Sequence, residues 1–309
     1  MNAPTPTIVF PTPLRPGDLI RFVSPASTPA RDDVEASADL LRGMGYAVDI
    51  GRNAFNKLNY LAGTDDERLA DLNDALRDPK VRAIFATKGG KGSYRIAERL
   101  DFDAARRDPK FLVGFSDITA LHLALLRHGA GGAVHGALRF DARDTADSPN
   151  GPSLQTLLSR TDPISIAAQA AEPSSALSNG RSAHGRLIGG NLDMVATCAG
   201  WALPPLDGAI LLLEAVNMFM GQIDRQLTLL RKGGHLSGLA GIALGQFTDI
   251  NPSGSWTIID LLRQHFGPLD VPILGGLPLG HRENSESFPL GHVTVLDGAA
   301  GTLTARMAP

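Results

Sequence analysis

The chain has 309 residues, of which 43% are hydrophobic and 20% charged, and its formal net charge at pH 7 is −3. This composition is that of a soluble globular protein long enough for two domains, and no basic region indicates binding to nucleic acid or to a membrane surface. Cys198 is the only cysteine, which excludes an intramolecular disulfide and a multi-cysteine metal site.

The N-terminal segment is rich in Thr and Pro and lacks the basic and apolar regions of a signal peptide. No apolar run approaches the ~20 residues that a membrane span needs. We therefore expect a cytoplasmic protein that does not engage a membrane and that begins with a flexible tail over residues 1–15.

Short apolar strands alternate with helices along the first half of the chain. Helices are predicted over 32–43 and from the capping-box sequence at Thr64 to just before Pro79. Two more are predicted, one from the glycine turn at 88–93 to Leu100 and one from the turn at Ser116 to Arg127. The predicted strands are 19–23, 46–50, 81–87, 111–114 and 132–136. This alternation predicts an α/β domain with a parallel sheet covered on both faces.

The composition changes to Ala, Ser, Pro, Thr and Asp between about residues 141 and 182. We place an N-terminal domain at 16–145, a linker with room for one helix at 146–183, and a smaller C-terminal α/β domain at 184–309. Helices of the second domain are predicted from 192 to about 201 and over 221–232 and 256–266. Its predicted strands are 185–191, 209–214, 242–247, 271–274, 293–296 and 302–305.

Ser116 lies at the junction between an apolar strand and a helix. The commoner role of serine at such a junction is to cap the helix. A strained turn would instead expose its hydroxyl as a nucleophile, with the helix dipole and the Asp117 amide placed to stabilise an oxyanion. The hydrolase signature G-x-S-x-G is only half met, because Ile118 stands where the second glycine would be. The turn alone favours the cap.

Two residues of the second half are candidate partners for Ser116. Glu214 ends an apolar strand, and the strand ends of parallel sheets are where ligands bind; a structural ion pair with Arg225 is the equal alternative. His281 lies in a loop between two strand-like segments, with His292 as a competitor. The chain order Ser116, Glu214, His281 is compatible with a triad of nucleophile, acid and base.

The segment 88–93 resembles a phosphate-binding loop but fails the P-loop pattern, since Gly92 follows the Gly-Lys pair. A glycine turn after a strand still offers backbone amides to an anion. The other histidines lack the spacing of a catalytic metal site, so we expect no catalytic metal. We expect no cofactor either.

Taken together, these motifs resemble the LD-carboxypeptidases, a family of serine peptidases that also includes microcin C immunity proteins. The resemblance runs from about Pro16 to the C-terminal strands. Its motifs are Gly17-Asp18, Ser24-Pro25-Ala26-Ser27, Lys88-Gly89-Gly90, Gly114 to Leu121, His135-Gly136, Gly189 to Leu192, Leu213-Glu214, Ile223 to Leu227, Gly280-His281 and Pro289-Leu290-Gly291.

The resemblance implies Ser116 as nucleophile, Glu214 as acid, His281 as base, and the backbone amides of Asp117 and Gly90 as oxyanion donors. It also implies an N-terminal domain like that of class I glutamine amidotransferases, and a homodimer. The implied reaction is release of terminal D-alanine from a cytoplasmic murein tetrapeptide, a small peptide substrate.

Two departures from the family pattern bear on the substrate. Lys91 replaces a tyrosine that often follows the paired glycines, and the segment 215–220 lacks the usual acidic or polar run. Lys91 and Arg225 are the candidates for binding a substrate carboxylate. Two alternatives stay open: a peptidase for microcin-like aminoacyl-nucleotide conjugates, and a non-catalytic protein whose glycine turns bind an anion.

Overall fold

The protein is described here by a computed structural model that covers residues 7–138, 150–251, 254–283 and 285–307. Its helices are α1 (Arg31–Gly43), α2 (Asp65–Arg77), α3 (Phe102–Arg107), α4 (Thr119–Arg127), α5 (Asn150–Ser159), α6 (Leu192–Thr197), α7 (Met220–Lys232) and α8 (Ile258–Phe266). Its strands are β1 (Leu19–Val23), β2 (Ala47–Ile50), β3 (Val81–Ala86), β4 (Phe111–Gly114), β5 (Ala133–His135), β6 (Ile164–Ala167), β7 (Ser182–Asn191), β8 (Ile210–Val216), β9 (Gly241–Thr248), β10 (Ile273–Leu274), β11 (Phe288–Pro289), β12 (Val293–Asp297) and β13 (Thr302–Arg306).

These strands form two sheets, which confirms the predicted α/β fold. The first sheet has the order β11-β5-β4-β3-β1-β2, in which β1 to β5 are parallel and β11 runs antiparallel to β5. The second sheet has the order β10-β9-β8-β7-β12-β13-β6. Its strands β7 to β10 are parallel, and the rest are antiparallel.

Local sequence accounts for several elements. Thr64 caps α2 with the predicted capping box, in which the Glu67 N–H bonds to Thr64 Oγ1 at 3.2 Å and the Thr64 N–H to Glu67 Oε2 at 2.8 Å. Helix α4 is buried from Thr119 to Leu126, and all of these residues except Thr119 and His122 are apolar. Among the described residues, no helix is both long and apolar enough to cross a membrane.

Helix α4 contacts one strand of each sheet, β5 of the first and β7 of the second. One continuous apolar core includes Ile118 and Leu121 from this part of the chain and Leu192 and Val195 from α6. At the start of α4, Thr119 Oγ1 accepts a hydrogen bond from the Asn191 N–H at 3.1 Å. The element that follows Ser116 is therefore packed directly against the end of β7.

Three expectations need correction. Of the predicted flexible tail, residues 7–15 pack on the fold: Leu14 is buried and Val9 pairs with Ala130. The expected helix before Leu100 is two short 3₁₀ turns, 93–95 and 97–99. The expected linker carries β6, which pairs with β13 of the second sheet. Residues 1–6 and 139–149 lie outside the described chain.

Candidate active site

Ser116 adopts a left-handed backbone conformation with φ of 59°, which is rare for a residue other than glycine. It begins a 3₁₀ turn over 116–118 that leads into α4, and Phe115 occupies the cap position. Within the described chain, the Ser116 hydroxyl makes no hydrogen bond, so it does not cap the helix. The turn thus has the strained strand-to-helix geometry that was the less favoured alternative for the sequence alone.

The glycine turn after β3 lies against Ser116. A Cβ on Gly89 would lie 3.1 Å from Ser116 Cβ, and Gly90 has φ of 105°. The turn is fastened to Ser27, whose Oγ accepts the Lys91 N–H at 3.2 Å. The N–H of Asp117 belongs to the first turn of its helix, where backbone amides lack a helical partner. Gly89 and Asp117 thus lie beside the serine, and Gly90, the other predicted oxyanion donor, directly follows Gly89.

The side chain of Asp117 has a different task from its amide. It is buried, and its Oδ2 accepts the Ser93 N–H at 2.7 Å. Burial raises the pKa of this carboxyl, and the hydrogen bonds from Ser93 oppose the shift. Asp117 thereby ties the glycine turn to the turn that carries Ser116. This contact holds Ser93 in a 3₁₀ turn where the sequence indicated an ordinary helix.

Glu214 lies on β8 at the carboxyl end of the parallel strands. The strand continues to Val216, so the prediction that it ends at the carboxylate was wrong by two residues. The pairing with β9 shifts between Leu213 and Ala215, which leaves Glu214 opposite an extra residue of β9. Such bulges redirect side chains and are common beside active sites.

The Glu214 carboxylate is fully buried and has a partner on each oxygen. Oε2 lies 2.9 Å from His281 Nδ1, and Oε1 accepts Asn191 Nδ2 at 3.0 Å. Among the described residues, Glu214 does not form the alternative ion pair with Arg225, because its oxygens pair with His281 and Asn191. Because a carboxylate accepts, His281 Nδ1 carries the proton in the neutral ring and Nε2 is left as a proton acceptor.

His281 and Ser116 line one cleft between the two sheets. The cleft has a volume of about 730 Å³. Gly90, Lys91, Tyr94, Ser116 and Asp117 line its first side, and Asn191, Asp193, Met194, Thr197, Val216, Asn217, Met218, Gln222 and His281 line the second. The ring of Phe115 lies 4.9 Å from the His281 ring, centre to centre. No hydrogen bond joins Ser116 to His281 in the described chain.

The two candidate carboxylate binders have different positions. Lys91 lines the cleft and is exposed. Arg225 is exposed on α7 and does not line the cleft as the described residues define it. The inward face of α7 carries Ile223 and Leu227, and a residue between them on the helix points elsewhere. The structure therefore gives no support for a substrate contact by Arg225.

His292, the competitor of His281, is buried away from the cleft. Its Nδ1 lies 3.2 Å from the Arg306 carbonyl, and burial lowers its pKa to about 4. Cys198 is buried too, and burial raises the pKa of its thiol to about 12, so it is no nucleophile at neutral pH. The described residues include no group of three or more His, Cys, Asp or Glu placed to hold a metal ion.

Two protein-family models match the two halves of the chain. The model of the LD-carboxypeptidase N-terminal domain matches residues 20–136, and that of the C-terminal domain matches residues 184–296. The chain belongs to the LD-carboxypeptidase family. It is accordingly a peptidase of the hydrolase class.

Individual LD-carboxypeptidase relatives match over nearly the whole chain. A putative carboxypeptidase of Synechocystis sp. is 35% identical over 95% of this chain and 96% of its own. The murein tetrapeptide carboxypeptidase of Pseudomonas aeruginosa is 30% identical over 90% and 93%.

Solved structures give the same fold. A muramoyltetrapeptide carboxypeptidase from Oxalobacter formigenes superposes with a TM-score of 0.81 at 25% identity, over 94% of this chain and 99% of the other. The microcin C7 self-immunity protein MccF has a TM-score of 0.86 at 22% identity over 97% and 99%, which establishes the shared fold.

The sequence alone indicates no role for Asn191. Its side chain both bonds to Glu214 and caps α6, where its Oδ1 accepts the Met194 N–H at 3.4 Å. One indication was present in the sequence: Asn191 and Glu214 are polar residues at or near the ends of two apolar strands. In the sheet they are direct neighbours in register.

Proposed function

We propose that this LD-carboxypeptidase releases terminal D-alanine from murein tetrapeptides with Ser116 as nucleophile, His281 as general base and Glu214 as the orienting acid. The observation that carries the proposal is the 2.9 Å contact between His281 Nδ1 and the buried Glu214 carboxylate in the cleft that also contains the strained Ser116. The carboxypeptidases named among the relatives support the peptide substrate.

The reaction follows from the donor and acceptor pattern. When the substrate is bound, the Ser116 hydroxyl transfers its proton to His281 Nε2 while Oγ attacks the carbonyl carbon. The amides of Asp117 and Gly90 stabilise the oxyanion. Protonated His281 then gives its proton to the leaving nitrogen of D-alanine, and the C–N bond breaks. Water, deprotonated by His281, then attacks the ester carbonyl; the C–Oγ bond breaks, and His281 returns the proton to Ser116 Oγ.

Lys91 is the cleft residue with the charge to bind the terminal carboxylate of such a peptide. The lysine ammonium is a point charge on a flexible side chain, so it can pair with the carboxylate of the small D-alanine product. The homodimer and the cytoplasmic location stay predictions of the sequence.

The decisive experiment is Ser116→Ala with release of D-alanine from a murein tetrapeptide as the readout. We expect kcat to fall by about 10⁴-fold or more, because removal of a nucleophile leaves only binding and oxyanion stabilisation. Ser165→Ala, at an exposed position on β6, is the control and should keep full activity. Full activity of Ser116→Ala would refute the proposal.

A second substrate class is tested in the same assay. The alternative substrate is an aminoacyl-nucleotide conjugate, because MccF, which shares the fold, has been solved in complex with aspartyl sulfamoyl adenosine. Parallel incubations measure D-alanine from the tetrapeptide against nucleotide product from the conjugate. A higher kcat/KM for the conjugate would favour the alternative. A protein that turns over neither and whose Ser116 resists a fluorophosphonate would be a non-catalytic binder.

A further inference from the structure

The bulge of β9 opposite Glu214 carries a buried amide that contacts the loop of His281. Two residues of β9, Gly245 and Gln246, lie between the positions that pair with Leu213 and Ala215 of β8, where β8 has Glu214 alone. Gln246 is 1% exposed, so it cannot touch a substrate in the cleft. Its position beside the buried acid suggests a part in the architecture of the site.

The Gln246 side chain fastens the residues that follow His281. Gln246 Oε1 accepts the Arg282 N–H at 3.0 Å and the Ser285 hydroxyl at 2.8 Å. Two donors at one atom fix that atom as the amide oxygen. The backbone adds a third contact, from the Gln246 N–H to the Leu279 carbonyl at 2.8 Å. The loop is thus held before and after His281.

The opposite end of the amide is also occupied. Gln246 Nε2 lies 3.4 Å from Glu172 Oε1, and that oxygen lies 3.5 Å from Arg282 Nη1. Gly280 permits the close packing, because a Cβ there would lie 2.8 Å from Gln246 Cβ. Gln246 therefore bridges a buried carboxylate and the base-bearing loop.

We infer that Gln246 is a positioning residue for the general base: it holds the loop that carries His281 at the distance where the ring bonds to Glu214 and faces Ser116. This inference rests on the proposed function, because it takes His281 as the base. The β9 bulge then has two roles: it places Glu214, and it places the loop of His281 at the same edge of the sheet.

The test is Gln246→Met, which keeps the side-chain length but removes the acceptor and the donor. We expect kcat to fall about 10- to 100-fold, the effect of a small misplacement of a catalytic group, with KM within about twofold of wild type. Covalent labelling of Ser116 by a small fluorophosphonate should slow in parallel. Amide exchange at Arg282 should accelerate.

Asn73→Leu is the matched control. Asn73 is another buried amide that ties down a loop: its Nδ2 bonds to the Arg99 carbonyl and its Oδ1 accepts the Asp101 N–H. This variant should lower the thermal unfolding midpoint as Gln246→Met does, yet leave kcat and the labelling rate of the folded protein unchanged. Equal losses of kcat in both variants would overturn the inference.

An exchange of the two side chains gives a rescue test. Gln246→Glu alone keeps the acceptor for Arg282 and Ser285 but brings a second carboxylate against Glu172. The double variant with Glu172→Gln restores one carboxylate and one amide in the pair. We expect the double variant to regain at least tenfold in kcat over Gln246→Glu, and no regain contradicts the inference.

Failure of the proposed function has its own signature. If wild-type Ser116 is not labelled while Gln246→Met still accelerates exchange at Arg282, the triad is refuted and with it the catalytic part of this inference. If wild type is active and labelled but exchange, labelling and kcat are unchanged in Gln246→Met, only the role of Gln246 is refuted.

Discussion

The two sides of the cleft position their reactive groups by different means. On the first side, Ser116 is presented by backbone conformation: its φ is 59°, and the adjacent Gly90 is also left-handed. On the second side, Glu214 and His281 are held by side-chain hydrogen bonds within a buried network that includes Asn191. The geometry of the first side depends on residues that tolerate an unusual φ. The geometry of the second side depends on which side-chain atoms donate and accept hydrogen bonds.

This difference predicts different sensitivities to substitution. Adding a methyl group to the backbone should damage the first side, where there is little room and the conformation is special. Exchanging an amide for a carboxylate, with almost no change of shape, should damage the second side. The first two predictions below test this contrast.

Gly90→Ala is expected to have the largest effect. A Cβ at Gly90 would overlap the Ser27 hydroxyl and would stand in a conformation with φ of 105°. The turn must shift, which would move its amide out of the proposed oxyanion site. Loss of one oxyanion donor typically lowers kcat by about 10²- to 10³-fold. Steady-state kinetics with the tetrapeptide measures the effect, with little change expected in KM.

Gly17→Ala is the control for backbone strain alone. Gly17 has φ of 88°, and a Cβ there would have no neighbour within 4 Å. The variant should lose about 1–2 kcal/mol of stability in urea unfolding, the cost of a left-handed conformation for an L-residue, and keep its kcat. If Gly90→Ala is as active as Gly17→Ala, the Gly90 amide does not contribute to the oxyanion site.

The second side is tested by Asn191→Asp, which replaces the amide donor to Glu214 by a carboxyl of the same shape. Two carboxyls in contact raise the pKa of one of them, and only the protonated form can donate to Glu214. Loss of a hydrogen bond to a charged group corresponds to about 10- to 100-fold in rate at pH 8. The ratio of variant to wild-type kcat/KM should rise as the pH is lowered.

Asn191→Ala separates the charge from the lost hydrogen bond. It removes the donor without adding a titrating group, so its ratio to wild type should be independent of pH. Full activity of Asn191→Asp at every pH, beside a loss of activity in Asn191→Ala, would mean that the residue acts on α6, which Asp can still cap, and not on Glu214.

The sequence was informative where structure depends on near neighbours. The capping box at Thr64, the apolar strands and the turn at Ser116 are local patterns, and the fold class followed from their alternation. Long-range contacts account for the errors. The bulge opposite Glu214 depends on the register of a partner strand, and the 3₁₀ turn at Ser93 on a bond to Asp117. Neither has a local signature.

The same distinction between local patterns and long-range contacts applies to the residues of the candidate site. The strained turn at Ser116 was foreseen as one of two alternatives, because a glycine two residues before a serine is a local feature. Asn191 and Gln246 were not assigned, since each acts through a residue distant in sequence. Side-chain networks of this kind become visible only when the strands are paired.

The last effect concerns stability rather than rate and involves buried histidines associated with both sheets. Burial lowers the pKa of His122 to about 3 and of His135 and His292 to about 4. These rings stay neutral in the folded protein, whereas the unfolded chain binds protons below pH ~6.5. Stability should therefore fall as the pH drops from about 6.5 to 4, by up to about 1.4 kcal/mol per pH unit for each ring.

His292→Asn isolates one share of this effect, because Asn can still donate to the Arg306 carbonyl but does not titrate. Urea unfolding at several pH values between 7 and 5 should give a shallower decline for the variant than for wild type, by about one histidine's share. Phe10→Leu removes the ring that lies 4.0 Å from His292, centre to centre, and leaves the titrating group. It should lower stability at every pH without changing the slope. Parallel slopes for His292→Asn and wild type would show that His292 takes up its proton in the folded protein as readily as in the unfolded chain.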